Sequence, residues 1–180
     1  MVDTNNSSRY IDLLLNKYLV KIGRSANMAW LCFACNNEEE TGIAKEFSLH
    51  VQCPCRMVDL PNREVLFASL DMYLPNSGTQ ESENFDWDVQ GANRYDAEVK
   101  KWLTVNESVY VKKLYFNVLG DLMLFLSNGH IFEVLVTSSL DGEYDECWRF
   151  FERHTDRDHF VVNGRKTINV PAADLHYDWR

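Results

Sequence analysis

The spacing of hydrophobic positions along this chain changes near residue 20, from a helical period to a period of two. Residues 8–19 carry apolar side chains at intervals of three and four, which predicts an amphipathic helix that Ser7 or Ser8 can cap. The same spacing predicts a helix over 94–103. The apolar positions are Ile11, Leu14, Leu15, Tyr18 and Leu19 in the first helix, and Tyr95, Val99, Trp102 and Leu103 in the second.

Alternating polar and apolar residues predict strands after residue 20. In "EFSLHVQC" (46–53) Phe47, Leu49 and Val51 share one face, while Ser48, His50 and Gln52 share the other. "MAWLCFA" (28–34) is apolar on both faces, as is typical of a strand covered on each side. Further strands are predicted at 64–74, "SVYVKKLYFN", "DLMLFLS", "HIFEVLV" (130–136), "CWRFFE" and "HFVVNG", with Asn128-Gly129 as a two-residue type I′ hairpin loop.

Two parts of the chain have similar patterns, which suggests an internal duplication. Residues 19–33 and 110–125 share an early Val-Lys pair and a later apolar run, and each is followed by a further strand pattern. The predicted fold class is therefore α+β, dominated by antiparallel sheet, with two related three-stranded meanders and two or three flanking helices.

Length and composition favour one globular domain, spanning residues 1–180. The chain is 46% hydrophobic, and possible sub-lobes at 8–74 and 94–170 are joined by a polar loop at 75–93. Its formal net charge is −9, which argues against nucleic-acid binding and allows a basic protein partner. No signal peptide or long apolar run is recognised, so we expect a cytoplasmic protein that does not cross a membrane; the oligomeric state stays open.

Four of the five cysteines lie within 32–55, as C-x-x-C followed by C-x-C. This spacing allows a zinc site, a redox pair or core packing, and the pattern favours core packing. Cys32 and Cys35 would point to opposite faces of a strand, whereas Cys53 and Cys55 would join an apolar face. No glycine follows to form a zinc knuckle, and a redox pair would need a helix N-terminus. We therefore expect neither a metal nor a cofactor.

Several polar residues are candidates for binding. His50 and Gln52 lie on the polar face of their strand. Pro54 cannot donate to a sheet, so the strand is expected to lie at an edge or to bulge there, and a bulge could redirect Arg56. Asp86 and Asp88 flank Trp87 but lack the other ligands of a calcium loop, so Trp87 is expected to hold the loop in place. Arg149 should pair with a carboxylate. The candidate binding residues are His50, Gln52, Arg56, Asp71, Asp86, Asp88 and Arg149.

Catalysis has little support in the sequence. Cys147 with His154 or His159 could form a thiol nucleophile pair, but nothing specifies an orienting group or an oxyanion hole. No catalytic residue is assigned, and an enzyme is the less favoured interpretation. The alternative function is a small-ligand binder or enzyme, with His50, Arg56, Asp71 and Arg149 converging in a cleft between the lobes.

The order of the motifs "LHVQCPCR", "GDLMLFLSNG", "WRFF" and "HFVVNG" resembles a small family of uncharacterised bacterial proteins of similar length. The resemblance covers most of residues 15–165 and implies no activity and no catalytic residue. Cys55 departs from it, because an aromatic residue is expected at that position. Proteins of this kind are similar to the immunity partners of bacterial toxins, and the expected function is a non-enzymatic protein-interaction module, plausibly immunity-like.

Overall fold

The computed structural model describes residues 10–35, 45–76, 85–140, 145–164 and 167–170, the last of these as backbone alone. These ranges contain one α-helix, two short 3-10 helices and eleven strands. The helix α1 is Arg94–Val105, and the 3-10 helices are Asp12–Leu14 and Ser69–Tyr73. The strands are β1 Tyr18–Ser25, β2 Met28–Ala34, β3 Glu46–Val51, β4 Cys55–Asp59, β5 Glu64–Ala68, β6 Val111–Phe116, β7 Leu122–Leu126, β8 His130–Val134, β9 Glu146–Glu152, β10 His159–Asn163 and β11 Thr167–Val170.

The strands form two antiparallel sheets, so the predicted α+β class dominated by antiparallel sheet is confirmed. The six-stranded sheet has the order β1-β2-β3-β9-β10-β11, and the five-stranded sheet has the order β5-β4-β8-β7-β6. In each sheet the outer strands are chain neighbours, whereas the central pairs β3–β9 and β4–β8 join distant parts of the chain. Antiparallel pairing suits such hairpin connections, because it needs no crossover helix.

The chain passes between the two sheets beside the pairs β3–β9 and β4–β8. The amides of Gln52 and Cys53 both donate to the Cys147 carbonyl, at 2.8 and 3.1 Å, and the Leu135 amide donates to the Pro54 carbonyl at 2.9 Å. Pro54 lies between two central strands, so it marks the passage between sheets rather than a sheet edge. It has no N–H to leave unpaired there, which makes proline compatible with this position.

One buried cluster lies between the inner faces of the two sheets. The β9 residue Trp148 is fully buried, and its Nε1 donates to the Gly120 carbonyl at 2.8 Å. The β6 residue Phe116 meets Trp148 and Phe160 of the other sheet in edge-to-face contacts, each with centroids 5.8 Å apart. These contacts fix the separation of the sheets, because closely packed aromatic pairs allow little sliding.

The helix α1 follows the predicted pattern. The Asn93 side chain caps it by accepting from the Asp96 amide at 2.9 Å. Tyr95, Val99 and Trp102 are buried at helical spacing against the core. This helix covers an end of the core next to β1 and β5.

The helix predicted over 8–19 is wrong in its last residues, and residues 8–9 lie outside the described part. Residues 10–14 are helical, but β1 already begins at Tyr18. Asn16 has a φ of 61°, and its amide donates to the Val111 carbonyl at 2.9 Å. Pairing with a distant segment therefore ends the helix where local propensity would have continued it.

Two other local predictions also need correction. The strand predicted at 64–74 stops at Ala68, after which Ser69–Tyr73 forms a 3-10 helix. The loop between β7 and β8 has three residues, 127–129, and only Gly129 has a positive φ, of 88°. A type I′ turn needs positive φ at two positions, whereas a three-residue loop commonly needs it at one.

Candidate functional site

The outer face of the six-stranded sheet carries an open groove, which we call the outer groove, across β1, β2, β3 and β9. Its cavity volume is ≈ 460 Å³. The residues that line it alternate along their strands with core residues such as Leu31 and Leu49. The lining residues are Lys21, Ser25, Met28, Trp30, Cys32, Ser48, His50, Phe151 and Arg153.

Strand register brings these side chains together from distant parts of the chain. Trp30 of β2 lies opposite His50 of β3, and His50 lies opposite Arg149 of β9. In the next row, Cys32 lies opposite Ser48, which lies opposite Phe151. Directly opposed residues of antiparallel strands share a face and have Cβ atoms within about 5 Å, so each row is a continuous strip.

Aromatic rings form one wall of the outer groove. The ring of His50 meets Phe151 edge to face at 4.9 Å, and Phe151 stacks on His159 at 4.2 Å with an interplanar angle of 5°. The Trp30 ring lies directly over Gly23 of β1, where a Cβ would fall 2.4 Å from the indole Cζ2. Glycine at this position therefore lets the indole lie flat on the neighbouring strand.

The charged groups beside these rings differ in how well they are neutralised. Arg149 is buried, and its Nε donates to Glu146 Oε1 at 2.6 Å, as its predicted pairing with a carboxylate requires. Arg153 is partly exposed and bonds to Glu46 at 2.7 Å through Nη1. Lys21 is exposed. The lining thus contains two cationic residues and no carboxylate.

Both histidines of this face favour the neutral form. Burial, followed by the positive charge of Arg149, lowers the pKa of His50 to about 4. Burial and Arg149 likewise lower the pKa of His159 to about 4. Imidazoles with such a pKa are weak bases at neutral pH, so they offer hydrogen bonds and ring contacts rather than proton transfer.

The cysteines divide between the core and this face. Cys53, Cys55 and Cys147 belong to the buried cluster. Burial raises the pKa of the Cys55 thiol to about 12 and raises the pKa of Cys53 and Cys147 as well, which makes these thiols poor nucleophiles. Cys32 lies in the outer groove, 3.5 Å from Ser48 Oγ.

Cys35 is only partly buried, and its Sγ lies 3.1 Å from Lys17 Nζ. All five cysteines are free thiols. Among the described residues, no group of three or more His, Cys, Asp or Glu side chains is arranged to hold a metal ion.

The structure brings together three of the seven candidate residues from the sequence. His50 and Arg149 are direct cross-strand neighbours, and Gln52 Nε2 donates to Glu146 Oε1 at 3.3 Å, the atom that also accepts from Arg149. These three residues border one surface. Arg149 is nevertheless paired with Glu146, so a ligand on this face would contact the residues that line the outer groove instead.

The remaining candidates lie elsewhere and have local structural partners. Arg56 of β4 pairs with Glu133 of the neighbouring strand β8. Asp71 accepts from the Ala68 amide at 2.8 Å. The cleft that would unite His50, Arg56, Asp71 and Arg149 stays a prediction; Arg56 lies in the five-stranded sheet, whereas His50 and Arg149 lie in the six-stranded sheet.

The aspartates of the loop 85–93 have structural partners. Asp86 Oδ1 accepts from the Asp88 amide at 3.0 Å, and Asp88 pairs with Arg24 at 3.2 Å. Trp87 contacts the Tyr73 ring at 5.2 Å, which agrees with the expectation that it holds the loop in place. These contacts tie the loop to β1 and to the second 3-10 helix.

Of the nine residues that line the outer groove, sequence reasoning identified only His50 as a binding candidate; among those it missed are Lys21, Trp30, Phe151 and Arg153. The segment 28–34 was expected to be covered on each side, whereas its Trp30 side borders the groove. The sequence did contain a usable signal, because side chains alternate between the two faces along "MAWLCFA" and "EFSLHV". Pairing these two strands places Trp30 and His50 on the same face of the sheet. The contribution of β9 required knowledge of a pairing across about a hundred residues.

No protein-family model, no curated protein and no solved structure matches this chain. Within the described residues, no helix combines the length and the apolar character needed to cross a membrane.

Proposed function

We propose that this chain is a non-enzymatic binding module whose binding surface is the outer groove. The observation that carries the proposal is an open cavity of ≈ 460 Å³ on a sheet face, with half-buried rings beside the exposed Lys21 and the Glu46-paired Arg153. A rigid sheet can hold such side chains in place, and concave surfaces of mixed apolar and polar character are the usual binding sites of proteins. A pKa near 4 makes His50 a weak base at neutral pH, which favours binding over catalysis.

The sequence supports a more specific proposal about the role of this protein and the charge of its partner. The resemblance described above supports an immunity-like role in the cytoplasm, and the net charge of −9 supports a basic protein partner. The outer groove itself is cationic, so a basic partner would have to meet the acidic surface outside it. Such contact between opposite charges should weaken steeply as salt is added.

A small-ligand site is the second candidate. The groove volume of ≈ 460 Å³ lies within the range of small-molecule pockets, about 300–1,000 Å³. The site would then be the outer face of one sheet rather than a cleft between two lobes. Ring contacts with Trp30 and Phe151 would supply most of its apolar surface.

We also propose that the two halves of the chain derive from a duplication. The strands β1 to β3 are consecutive neighbours in one sheet and β6 to β8 in the other, and each set is followed by a passage to the opposite sheet. Exchange of β1–β5 for β6–β10 maps the pair β3–β9 onto β8–β4. This correspondence supports the similarity between the two apolar patterns of the sequence.

The binding role can be tested with proteins encoded beside this chain. Each would be purified and titrated by calorimetry at low and at high salt, against the unaltered chain, the groove variant Trp30→Ala and the control Tyr115→Ala. Tyr115 is an exposed tyrosine of β6, on the other sheet. We expect one protein to bind, with affinity about tenfold weaker for Trp30→Ala and unchanged for Tyr115→Ala. Binding that is indifferent to Trp30→Ala would remove the groove from the proposal, and turnover of a substrate would contradict a non-enzymatic role.

A further inference from the structure

The strand β1 forms one edge of the six-stranded sheet, and part of that edge is unpaired. At the start of the strand, the Leu19 amide donates to the Val109 carbonyl at 2.8 Å, so a distant segment covers the edge there. A bulge at Val20 follows. Along 21–25 no backbone group of the described chain outside β2 bonds to β1. The outer side of this stretch is therefore an open sheet edge.

The alternation of an antiparallel ladder shows which backbone groups of this edge are available. Ser25 and Met28 close the two-residue turn between β1 and β2, and the closing pair of such a hairpin is hydrogen bonded. Bonded and non-bonded pairs then alternate along the strand. Gly23 therefore bonds to β2, whereas Ile22 and Arg24 direct their N–H and C=O groups away from it. These two residues can bond to an added strand.

A groove, which we call the edge groove, lies between this open edge and α1. Its cavity volume is ≈ 340 Å³. The helix lies alongside β1, because Asp96 near its start bonds to Arg24, and Val109 just after its end bonds to Leu19. It also contacts β5 of the other sheet, so it crosses the end of the core rather than continuing the sheet. The groove therefore leaves room beside the edge of β1.

The helix α1 gives the edge groove an apolar wall. Val99 and Leu103 line the groove on successive turns, and Thr104 stands at its exposed rim. Side chains of an extended segment alternate between two faces, so every second residue of a strand added to β1 would point toward this wall. Apolar side chains at those positions would be removed from water against Val99 and Leu103.

One cation at the rim of the edge groove has no acidic partner. Lys100 is exposed and forms no ion pair with a described carboxylate, since Glu98 pairs with Lys101 instead, at 2.7 Å. Asp96 is the only acid among the lining residues, and it is already neutralised because Arg24 donates to both of its oxygens. An acidic side chain of a bound segment would therefore meet an uncompensated positive charge at Lys100.

We propose that the edge groove binds an extended peptide segment of a partner protein, which adds to β1 as a seventh strand and directs an acidic residue toward Lys100. The addition continues a pairing that the chain already uses, since residues 109–111 cover the same edge up to Leu19. In this mode of recognition, main-chain bonds give affinity and contacts of alternate side chains give specificity. The site is separate from the outer groove and does not depend on the function proposed for it.

The test begins with random peptides displayed on phage and selected on the full chain. Clones are counter-selected on Thr104→Trp, which places a ring in the rim of the groove. The control Val105→Trp adds the same ring at the next residue, which is exposed and outside the lining. Circular dichroism checks the fold of both variants. We expect the peptides lost only on Thr104→Trp to carry apolar residues at alternate positions and an aspartate or glutamate. Absence of such peptides, or apolar residues at helical spacing, would overturn the proposal.

An enriched peptide then reports the mode of binding. Hydrogen exchange followed by NMR should slow about tenfold or more at the amides of Ile22 and Arg24, whereas the Gly23 amide, already bonded to β2, should change little. Methylation of alternate backbone nitrogens of the peptide should weaken binding about tenfold, and methylation of the intervening ones should not. Binding that leaves exchange at Ile22 and Arg24 unchanged would contradict strand addition.

The charge assignment is tested with Lys100→Gln and the matched control Lys101→Gln, which remove one positive charge each from adjacent residues of α1. Lys100→Gln should weaken peptide binding about two- to fivefold, and Lys101→Gln should leave it unchanged. Equal effects would indicate attraction to the whole protein and would contradict the role of Lys100. A dimer of this chain that dissociates upon Thr104→Trp would identify a second copy as the occupant and would contradict a partner segment.

Discussion

Arg24 of β1 provides the clearest test of how the loop 85–93 and α1 are fastened to the six-stranded sheet. Its side chain is 1% exposed, and all three guanidinium nitrogens donate hydrogen bonds. Asp96 of α1 accepts from Nε and Nη2 at 3.0 Å, while Asp88 accepts from Nη1 at 3.2 Å. The carbonyls of Ala26, Asp88 and Val89 accept the remaining bonds.

Replacement of Arg24 by methionine would leave the Asp96 carboxylate, 9% exposed, without its cation. Loss of one partner of a buried ion pair costs about 3–5 kcal/mol, which is a large part of a typical total stability of about 5–15 kcal/mol. We therefore expect Arg24→Met to lower the free energy of unfolding by about 3–5 kcal/mol, as measured by urea denaturation. Arg24→Lys should recover only part of this, because one ammonium cannot reach all the acceptors.

The double variant Arg24→Met with Asp96→Asn separates the loss of the ion pair from the cost of the isolated carboxylate. Because the second substitution removes the uncompensated negative charge of Asp96, the double variant should be more stable than Arg24→Met alone. A loss below about 1 kcal/mol for Arg24→Met would refute this account of the cluster. So would a double variant whose loss equals the sum of the two single losses.

Two further predictions concern His50 and His159, on the outer face of the six-stranded sheet, and a glycine of the core. Because burial and Arg149 hold the pKa of His50 and His159 near 4, below the usual 6.5, the unfolded chain binds more protons between these values. Stability should therefore fall as the pH falls through this window, by about 1 kcal/mol per histidine from pH 7 to pH 5 after allowance for solvent screening. In urea denaturation, the variant with His50→Gln and His159→Gln should lose less unfolding free energy between pH 7 and pH 5 than the unaltered chain. Equal losses for the two proteins would contradict the prediction. Gly120→Ala should cost about 3 kcal/mol, because φ is +93° and the new Cβ would lie 2.6 Å from a Val162 methyl carbon. The control Gly91→Ala, with φ of +82° and open space around it, should cost about 1 kcal/mol; equal costs would show that the Val162 contact relaxes freely.

The parts of the fold that could be predicted from the sequence are those set by local patterns, namely the buried faces of strands and the position of α1. The alternation of Phe47, Leu49 and Val51 identified the buried face of β3, since a period of two leaves little freedom once one face is apolar. The helix predicted over 94–103 begins at Arg94, as expected, and the structure shows that Asn93 caps it. Asn16 shows where such reasoning ends, because its bond to the Val111 carbonyl, rather than its local sequence, stops the first helix.

The candidate site was harder to predict because it depends on register between distant strands. His50 could be recognised within its own strand, but Phe151 joins it only through the β3–β9 pairing. Arg149 was correctly expected to pair with a carboxylate, yet that pairing with Glu146 satisfies part of its charge, and the more open cation is Arg153. A sequence pattern can place a residue on a face; the pairing of strands decides which faces meet.

The passage between the sheets bears on whether the predicted sub-lobes 8–74 and 94–170 are separate units. Each sheet contains strands from both halves, and the joins are the central pairs β3–β9 and β4–β8. Separation of the halves would break both sheets at the centre and expose the buried faces of Trp148 and Met57. The separated central strands would have unpaired N–H and C=O groups that can pair with another chain, so neither half alone would have a protected sheet edge. We therefore interpret the two sub-lobes as parts of one cooperative unit rather than as separate domains. The outer groove spans the β3–β9 pair, so it forms only when the two halves of the chain are paired.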